Sequence, residues 1–392
     1  MDWIDSGFAA LSSWSSEALP EGYFSDLLSQ GIIPGIGGVV IFVPQIAILF
    51  LLFSLLEESG YMSRIVFLTD KLMQRFGMSG KSIVPLISGM ACAIPAIMSA
   101  RTISNNKERL ITIMVTPLMT CSARLPVYVI LIALIVPDET YGIINAQGLA
   151  LMGMYLLGVI TALLAAFVFS KILKSKFRSY LMMELPQYLR PDFKNVMLSV
   201  WSNSKAFIWD AGKIILAASI ILFVLATNGG NKFDNAKSIV GEENKGMEYE
   251  EFQSEVAAFK MENSYLGLLG QVIEPVIKPL GYDWKIGIAV ISSLAAREVF
   301  VGTMSTIYAI DSEEEMKIRD RLKTEVNESG EPVFSFATCI SLLVFYAFSL
   351  QCLSTVAVTY KETGSIKWTS IQFLYMSVFA YLSAMISYQL LA

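Results

Sequence analysis

Uncharged apolar runs punctuate the chain at 31–56, 82–100, 140–170, 214–231, 332–360 and 368–392. Each approaches or exceeds the roughly 20 apolar residues that a helix needs to cross a bilayer. Two further runs, 110–136 and 286–310, complete the series once internal charges are accepted: Arg124 in the first, Arg297 and Glu298 in the second. The pattern predicts an all-α polytopic membrane protein with about eight transmembrane segments. Residues 1–30 differ: Trp3, Phe8, Leu11, Trp14, Phe24 and Leu27 are spaced as in short amphipathic helices, which predicts an interfacial N-terminal segment. Segment 61–81 has the same character, with Ile65, Leu68, Leu72, Met73 and Phe76 near helical spacing.

The sequence also repeats itself. An ungapped offset of 204 residues aligns 77–103 with 281–307, with seven of 27 positions identical, including Gly77/Gly281, Lys81/Lys285, Ser88/Ser292 and Thr102/Thr306. A second echo, Thr120-Cys121 with Gln351-Cys352, falls in the following span of each half. The expected organisation is a first transmembrane half at 31–175, a basic connector at 176–205 and a second half at 206–392 that includes an acidic loop at 228–283. Two related halves containing broken helices suggest a transporter, with its site at the repeat interface. Four crossings per half make the halves parallel, whereas one re-entrant segment per half makes them inverted. Both arrangements stay open at this point.

Charge orients the chain. The segment after the 140–170 run carries Lys171, Lys174, Lys176, Arg178, Arg190, Lys194 and Lys205, whereas 137–146 has Asp138 and Glu139 and no base. Cytoplasmic loops hold the excess of Lys and Arg, so the first is expected inside and the second outside. Alternating eight crossings from there puts both termini in the cytoplasm and 228–283 outside, but it also leaves the four bases of 61–81 on the outer side. Other features exclude functions. No histidine is present, which removes imidazole ligands and His-based general bases. The net charge of −5 gives no footprint for nucleic acid. Cys92, Cys121, Cys339 and Cys352 all fall within apolar runs without CxxC spacing, a poor disulfide framework. The start Met1-Asp2-Trp3-Ile4-Asp5 lacks the positive region of a cleaved signal peptide.

Candidate chemistry lies in the repeated segments. In 82–100, Pro85, Gly89 and Pro95 interrupt helical hydrogen bonding on both sides of Cys92. Its repeat partner carries Arg297 and Glu298 at mid-span, where a charge costs on the order of 3 kcal/mol and must face the protein interior or a cavity. Neighbouring helix positions point about 100° apart, so each needs its own partner, and Arg124 is a candidate for Glu298. A cysteine between helices ordinarily acts as a small packing group; Cys339 takes that role. For Cys92, Cys121 and Cys352, packing and ligation are both open. Glu57 and Glu58 close the first span as interfacial residues or as part of a pathway, and Met98 and Met304 offer soft thioethers within otherwise packing methionines.

In chain order these residues resemble the membrane portion of the ferrous iron transporter B (FeoB) family. The likeness is carried by Gly35-Ile-Gly-Gly-Val-Val-Ile-Phe-Val-Pro-Gln45, Leu56-Glu-Glu-Ser-Gly-Tyr-Met-Ser-Arg64, Gly89-Met-Ala-Cys-Ala-Ile-Pro-Ala-Ile-Met98 and Thr120-Cys-Ser-Ala-Arg-Leu-Pro-Val-Tyr128. It continues in Pro279-Leu-Gly-Tyr-Asp-Trp-Lys285, in Ala295-Ala-Arg-Glu-Val-Phe-Val-Gly302 and around Cys352. The two repeated segments resemble that family's paired Gate regions, shared distantly with nucleoside transporters. The chain departs from the family pattern at Ala91-Cys92-Ala93, often Gly-Cys-Asn, and at Gln351, where many members have Pro.

The resemblance implies Fe²⁺ as the transported substrate, moved into the cytoplasm. Cys92, Cys121 and Cys352 fall where the family has cysteines proposed to handle iron, and Glu57, Glu58 and Glu298 fall within its acidic motifs. Met98 joins them as a soft donor, Arg124 and Arg297 as structural or charge-balancing groups, and Pro85, Gly89 and Pro95 as the helix breakers of the first Gate. Implied partners are the lipid bilayer of a bacterial cytoplasmic (inner) membrane, a cytoplasmic G domain normally on the same chain, and a small FeoA-like cytoplasmic protein, with a homo-oligomer also compatible. No G-x-x-x-x-G-K-[S/T] occurs in the sequence, so no GTP site is expected by that route: either the chain is a piece of a longer protein or it works with a separate G protein. The rival functions are a nucleoside-type Gate transporter and a non-transporting membrane scaffold. An enzyme fits least, because no nucleophile–base arrangement is legible.

Overall fold

The computed structural model of the chain describes residues 7–8, 10–15, 22–137, 140–141, 144–173, 190–210, 212–230, 233, 235–243, 256–257, 259–294, 297, 299–307, 322, 332–350 and 352–392. Its principal helices are α1 (Ile33–Glu58), α2 (Tyr61–Arg75), α3 (Ile83–Ala91), α4 (Ala93–Ser99), α5 (Asn106–Val115), α6 (Leu125–Ile135), α7 (Ala146–Ile172) and α8 (Phe193–Asp210). They continue with α9 (Gly212–Thr227), α10 (Ala236–Glu243), α11 (Tyr265–Ile277), α12 (Trp284–Ser292), α13 (Val299–Ile307), α14 (Phe336–Phe348), α15 (Leu353–Thr363) and α16 (Ile366–Leu391). A two-residue antiparallel pairing, Thr140 with Asn145 and Tyr141 with Ile144, precedes α7.

Six helical stretches among the described residues are long and apolar enough to cross a membrane: Leu27–Glu58, Asn106–Ile135, Ala146–Ile172, Phe193–Thr227, Phe336–Thr363 and Ile366–Leu391. The all-α polytopic class is therefore as expected, but the runs at 82–100 and 286–310 are not continuous spans. The first splits into α3, of 9 residues, and α4, of 7. The second splits into α12 and α13, each of 9 residues. At about 1.5 Å per residue, none reaches half of a bilayer's 30 Å core. Contacts bear on the alternation through eight crossings as well. Arg101 and Glu362 form an ion pair, although that count puts them on opposite faces.

Two compact units share the chain. The first comprises Met1–Ser122, Tyr155–Ala217 and Leu353–Leu374, the second Ala123–Met154, Ala218–Cys352 and Tyr375–Ala392. The spans 106–135 and 336–363 each belong half to one unit and half to the other, and the chain changes unit beside Cys121 in one and at Cys352 in the other. Within the first unit, Ile94, Ile97, Ala100 and Ile103 from α4 and its exit pack with Ile46 of α1, Ile113 of α5, Phe207 of α8 and Val358 of α15. Within the second, Ile286, Ile288, Ala289, Phe300 and Met304 from α12 and α13 pack with Val127 and Leu131 of α6, Leu342 and Tyr346 of α14, and Ala384 of α16. Each interrupted segment is thus the centre of a unit's apolar core.

Local chemistry sets the element ends. Asn105, Ser264, Asp283 and Ser335 cap α5, α11, α12 and α14, each accepting a backbone N–H two or three residues on. The repeat shows itself in the backbone: Gly77 and Gly281, aligned by the 204-residue offset, are both left-handed, with φ of 75° and 80°. Each sits at an equivalent close approach, Gly77 against Ser170 near the end of α7 and Gly281 against the ring of Tyr388 near the end of α16. The amphipathic expectation for 61–81 holds in part. Helix α2 buries Met62, Val66 and Met73 and leaves Phe67, Leu68 and Leu72 exposed, an apolar stripe suited to the membrane interface.

Gly77→Ala and Gly281→Ala each lower stability by at least about 1 kcal/mol, since an L-residue in the left-handed region costs that much before any collision with Ser170 or Tyr388. Gly153→Ala, at a helical position where a Cβ meets open space, does not. Thermal unfolding of the three variants in detergent checks this.

Candidate functional site

In the first unit the helix break at Cys92 is complete. Cys92 has extended backbone, φ −154° and ψ 134°, between α3 and α4, and its N–H donates to Ser88 C=O. Pro95 lies in the first turn of α4, where its missing N–H is tolerated. A break in an apolar setting frees carbonyls that must find donors. The Ala91 C=O accepts from Ser122 Oγ at 2.9 Å, and Ser122 Oγ accepts in turn from Gln45 Nε2 of α1 at 3.2 Å. Ala91 precedes Cys92 and Ser122 follows Cys121, so this bond joins the two cysteine-bearing breaks of the unit. Gly89 brings α3 close to the turn after α5: a Cβ there would lie 3.2 Å from Thr116 Cγ2 and 3.4 Å from Met119 Cβ. Gly158 of α7 does the same for Thr120, which a Cβ would meet at 2.6 Å. Cys92 and Met98 are both partly buried against the Ile46–Ile97–Phe207 cluster.

The second unit closes its break differently. Arg297 stands between α12 and α13, buried, and its Nη2 donates to Ser349 C=O at 2.9 Å, at the end of α14. The interrupted segment is again joined to the break of the next span, here by a guanidinium and there by a hydroxyl. Tyr346 OH adds a bond to Ser293 Oγ at 3.2 Å. Among the described residues, Arg297 Nη1 and Ser349 Oγ are buried with no hydrogen-bond partner. Asp283, which caps α12 through Ile286 N–H, has its carboxyl raised above the usual range by burial, with that hydrogen bond opposing the shift. Glu298 and Gln351 lie outside the described residues, so the expected Arg124–Glu298 pairing does too. Arg124 itself is fully buried at the start of α6.

Other expected residues separate from these breaks. Glu57 is exposed at the end of α1, and Glu58 Oε2 accepts from Asp192 N–H at 2.7 Å, tying α1 to the start of α8. Cys339 is buried in the second unit's core, in keeping with a packing role. Cys92, Cys121 and Cys352 are half-buried and none of the four cysteines forms a disulfide. Among the described residues, no group of three Cys, Asp or Glu side chains converges to hold a metal ion. A cavity of about 660 Å³ between α1 and α8 is lined mainly by apolar groups such as Val43, Ala47, Trp201 and Trp209, and by no thiol or carboxylate. It therefore offers no site for a metal cation.

A residue missed by the sequence argument is Glu362. Its side chain is buried to 3% exposure, and both carboxylate oxygens lie 2.9–3.0 Å from Arg101 Nε. Arg109 Nη2 donates to its backbone carbonyl at 2.7 Å. The contact ties the exit of α4 and the start of α5 to the end of α15, all in the first unit. Glu362 sits beyond the 332–360 run in the polar last turn of α15, where sequence offers no reason to expect burial.

An all-helical membrane protein built on a repeat, with an interrupted segment at the heart of each unit, has the architecture of a transporter. The Gate family, described as nucleoside recognition, matches residues 39–134 and 208–366, and the ferrous iron transport protein B C-terminus family matches 151–203. The chain is 44% identical over 391 residues to the Fe(2+) transporter FeoB of Leptospira interrogans serovar copenhageni, covering 99% of this chain and 54% of that protein. It is 36% identical over 404 residues to an Fe(2+) transport protein A/Fe(2+) transporter FeoB fusion protein of Porphyromonas gingivalis, covering 100% and 47%. With the Fe(2+) transporter FeoB of Campylobacter jejuni it shares 35% over 390 residues, 98% and 59%. No solved structure matches. The chain belongs to the Gate family and corresponds to the membrane portion of the ferrous iron transporter B family. It spans about half the length of these relatives.

Glu362→Gln destabilises the protein by about 1–2 kcal/mol, below the roughly 3–5 of a fully buried pair because Arg101 is half exposed. Arg101→Gln combined with it loses less than the sum of the two single changes, by more than about 0.5 kcal/mol. Unfolding of the four proteins of this cycle measures the coupling.

Proposed function

We propose that this chain forms the membrane pathway by which Fe²⁺ moves into the cytoplasm across a bacterial inner membrane. The observation that carries the proposal is the hydrogen-bonded junction of the Cys92 and Cys121 breaks. Fe²⁺ accepts thiolate, thioether and oxygen donors. A broken helix supplies both thiols and partly freed carbonyls where a continuous helix would present neither. Met98 adds a thioether beside Cys92, and Cys352 marks the corresponding break of the other half. Conduction requires binding weak enough for release, and the lack of a converged three-ligand group among the described residues suits ligands used in succession. Glu298 and the pair Glu57 and Glu58 are proposed as carboxylates along or at the ends of the path, and Arg297 as the group that keeps the second break closed and balances charge.

The relatives' greater length leaves room for a cytoplasmic G domain to couple GTP hydrolysis to this pathway. The relative that is a fusion of Fe(2+) transport protein A with FeoB supports a small cytoplasmic partner of that type.

Anaerobic Fe²⁺ binding to the purified chain in detergent tests the proposal, with Zn²⁺ and a nucleoside as competitors. Cys92→Ser, Cys121→Ser and Cys352→Ser are each expected to weaken saturable binding at least about tenfold, or 1.4 kcal/mol, while Cys339→Ser leaves it unchanged. Unchanged affinity in all three removes the cysteines from the pathway, and displacement by the nucleoside overturns iron as the substrate.

A further inference from the structure

Four contacts, each inside a single unit, constrain which ends of the spans share a membrane face. Glu58, at the end of α1, accepts from the N–H of Asp192 at the start of α8. Gly77 abuts Ser170 near the end of α7. Arg101 pairs with Glu362 at the end of α15. Gly281 abuts Tyr388 near the end of α16. Residues in direct contact at span ends lie on one face, so an even number of crossings must separate the members of each pair. Between Glu58 and Asp192, and again between Gly77 and Ser170, stand the spans 106–135 and 146–172 and the interrupted segment α3–α4. Two spans already make the count even, so α3–α4 does not cross. Between Arg101 and Glu362 stand four long spans and α12–α13, and between Gly281 and Tyr388 stand two long spans and α12–α13. Both counts are even only if α12–α13 does not cross.

Basic residues then fall into place. With six crossings, one face receives Arg64, Lys71, Arg75 and Lys81, then Arg101, Lys107 and Arg109, the seven bases of 171–205, and Lys361 and Lys367: sixteen of the 29 Lys and Arg. The opposite face receives the stretch before the first span, where Asp2, Asp5, Glu17, Glu21 and Asp26 occur and no Lys or Arg precedes Arg64. It also receives the baseless 137–146 loop, the acidic 228–283 segment with its five Lys, and the segment 308–331 with Lys317, Arg319, Arg321 and Lys323, so that nine bases stand there against sixteen. The richly basic face is cytoplasmic.

We infer that the chain crosses the membrane six times, with its N-terminal and C-terminal ends on the outer face, and that its two interrupted segments are re-entrant from opposite sides. The first, bearing Cys92, enters from the cytoplasm; three crossings later the second, bearing Arg297, enters from outside. This makes the halves an inverted repeat and replaces the expectation of two cytoplasmic termini. The four bases of 61–81 are no longer stranded outside.

The test uses the unmodified chain in intact spheroplasts, a membrane-impermeant amine reagent, and peptide mass spectrometry before and after lysis. Lys260 and Lys278 are expected to label equally in both, whereas Lys71, Lys107, Lys361 and Lys367 label only after lysis. Labelling of Lys71, Lys361 and Lys367 before lysis, with Lys107 protected, restores eight crossings and overturns the inference. The mirror pattern, with Lys260 and Lys278 protected and the other four labelled, overturns the orientation and the outer location of both ends.

Discussion

Inside a hydrocarbon core a backbone N–H or C=O that leaves its helix must be bonded within the protein, and that requirement governs this molecule. Two segments are broken where a continuous helix would have been the simplest solution. Each break is tolerable because another break answers it: Ser122 donates to the Ala91 carbonyl in one unit, and Arg297 donates to the Ser349 carbonyl in the other. The breaks therefore come in bonded pairs. Cys92 and Cys121 flank such a pair and are half-buried, a different setting from that of Cys339, buried in the core of the second unit.

The same economy explains the exchange of half-spans. Helices α5 and α6 are consecutive in sequence yet belong to different units, as do α14 and α15, and the changeovers coincide with Cys121 and Cys352. Each interrupted segment is thus enclosed by helices from both halves of the sequence: α3 and α4 by α15 as well as by α5, and α12 and α13 by α6 as well as by α14. Small residues permit the close approaches this needs. Gly89 and Gly158 admit the Thr116–Thr120 turn, and the left-handed Gly77 and Gly281 let the chain turn into each interrupted segment against the end of a long span.

Charge serves two distinct purposes. Most basic residues are spread along the chain, where Lys and Arg bear on orientation through their aggregate bias, which requires no partner. Arg101 and Arg109 instead converge on the buried Glu362, and Arg297 is buried against a carbonyl. These act as ties between elements, because a charge held away from water is stable only where its hydrogen bonds are fixed.

Much was legible in the sequence because its signals are local. Apolar run length gave the helical membrane class, the 204-residue offset marked both interrupted segments, and Pro85, Gly89 and Pro95 located the first break around Cys92. Length and composition could not separate a crossing from a broken re-entrant segment, since 82–100 and 286–310 are as apolar as true spans and a break depends on which distant donor meets the freed carbonyl. The two runs therefore counted among eight candidate spans, where the described residues hold six long helical stretches and two interrupted segments. Ser122, Gln45 and Glu362 were equally invisible, each an ordinary polar residue until a partner 31, 77 or 261 positions away in sequence is brought against it. The sequence alone determined the solvent this chain folds in and where its helices are weak; only the tertiary structure decided which weak points meet, because those pairings are set by contacts between residues far apart along the chain.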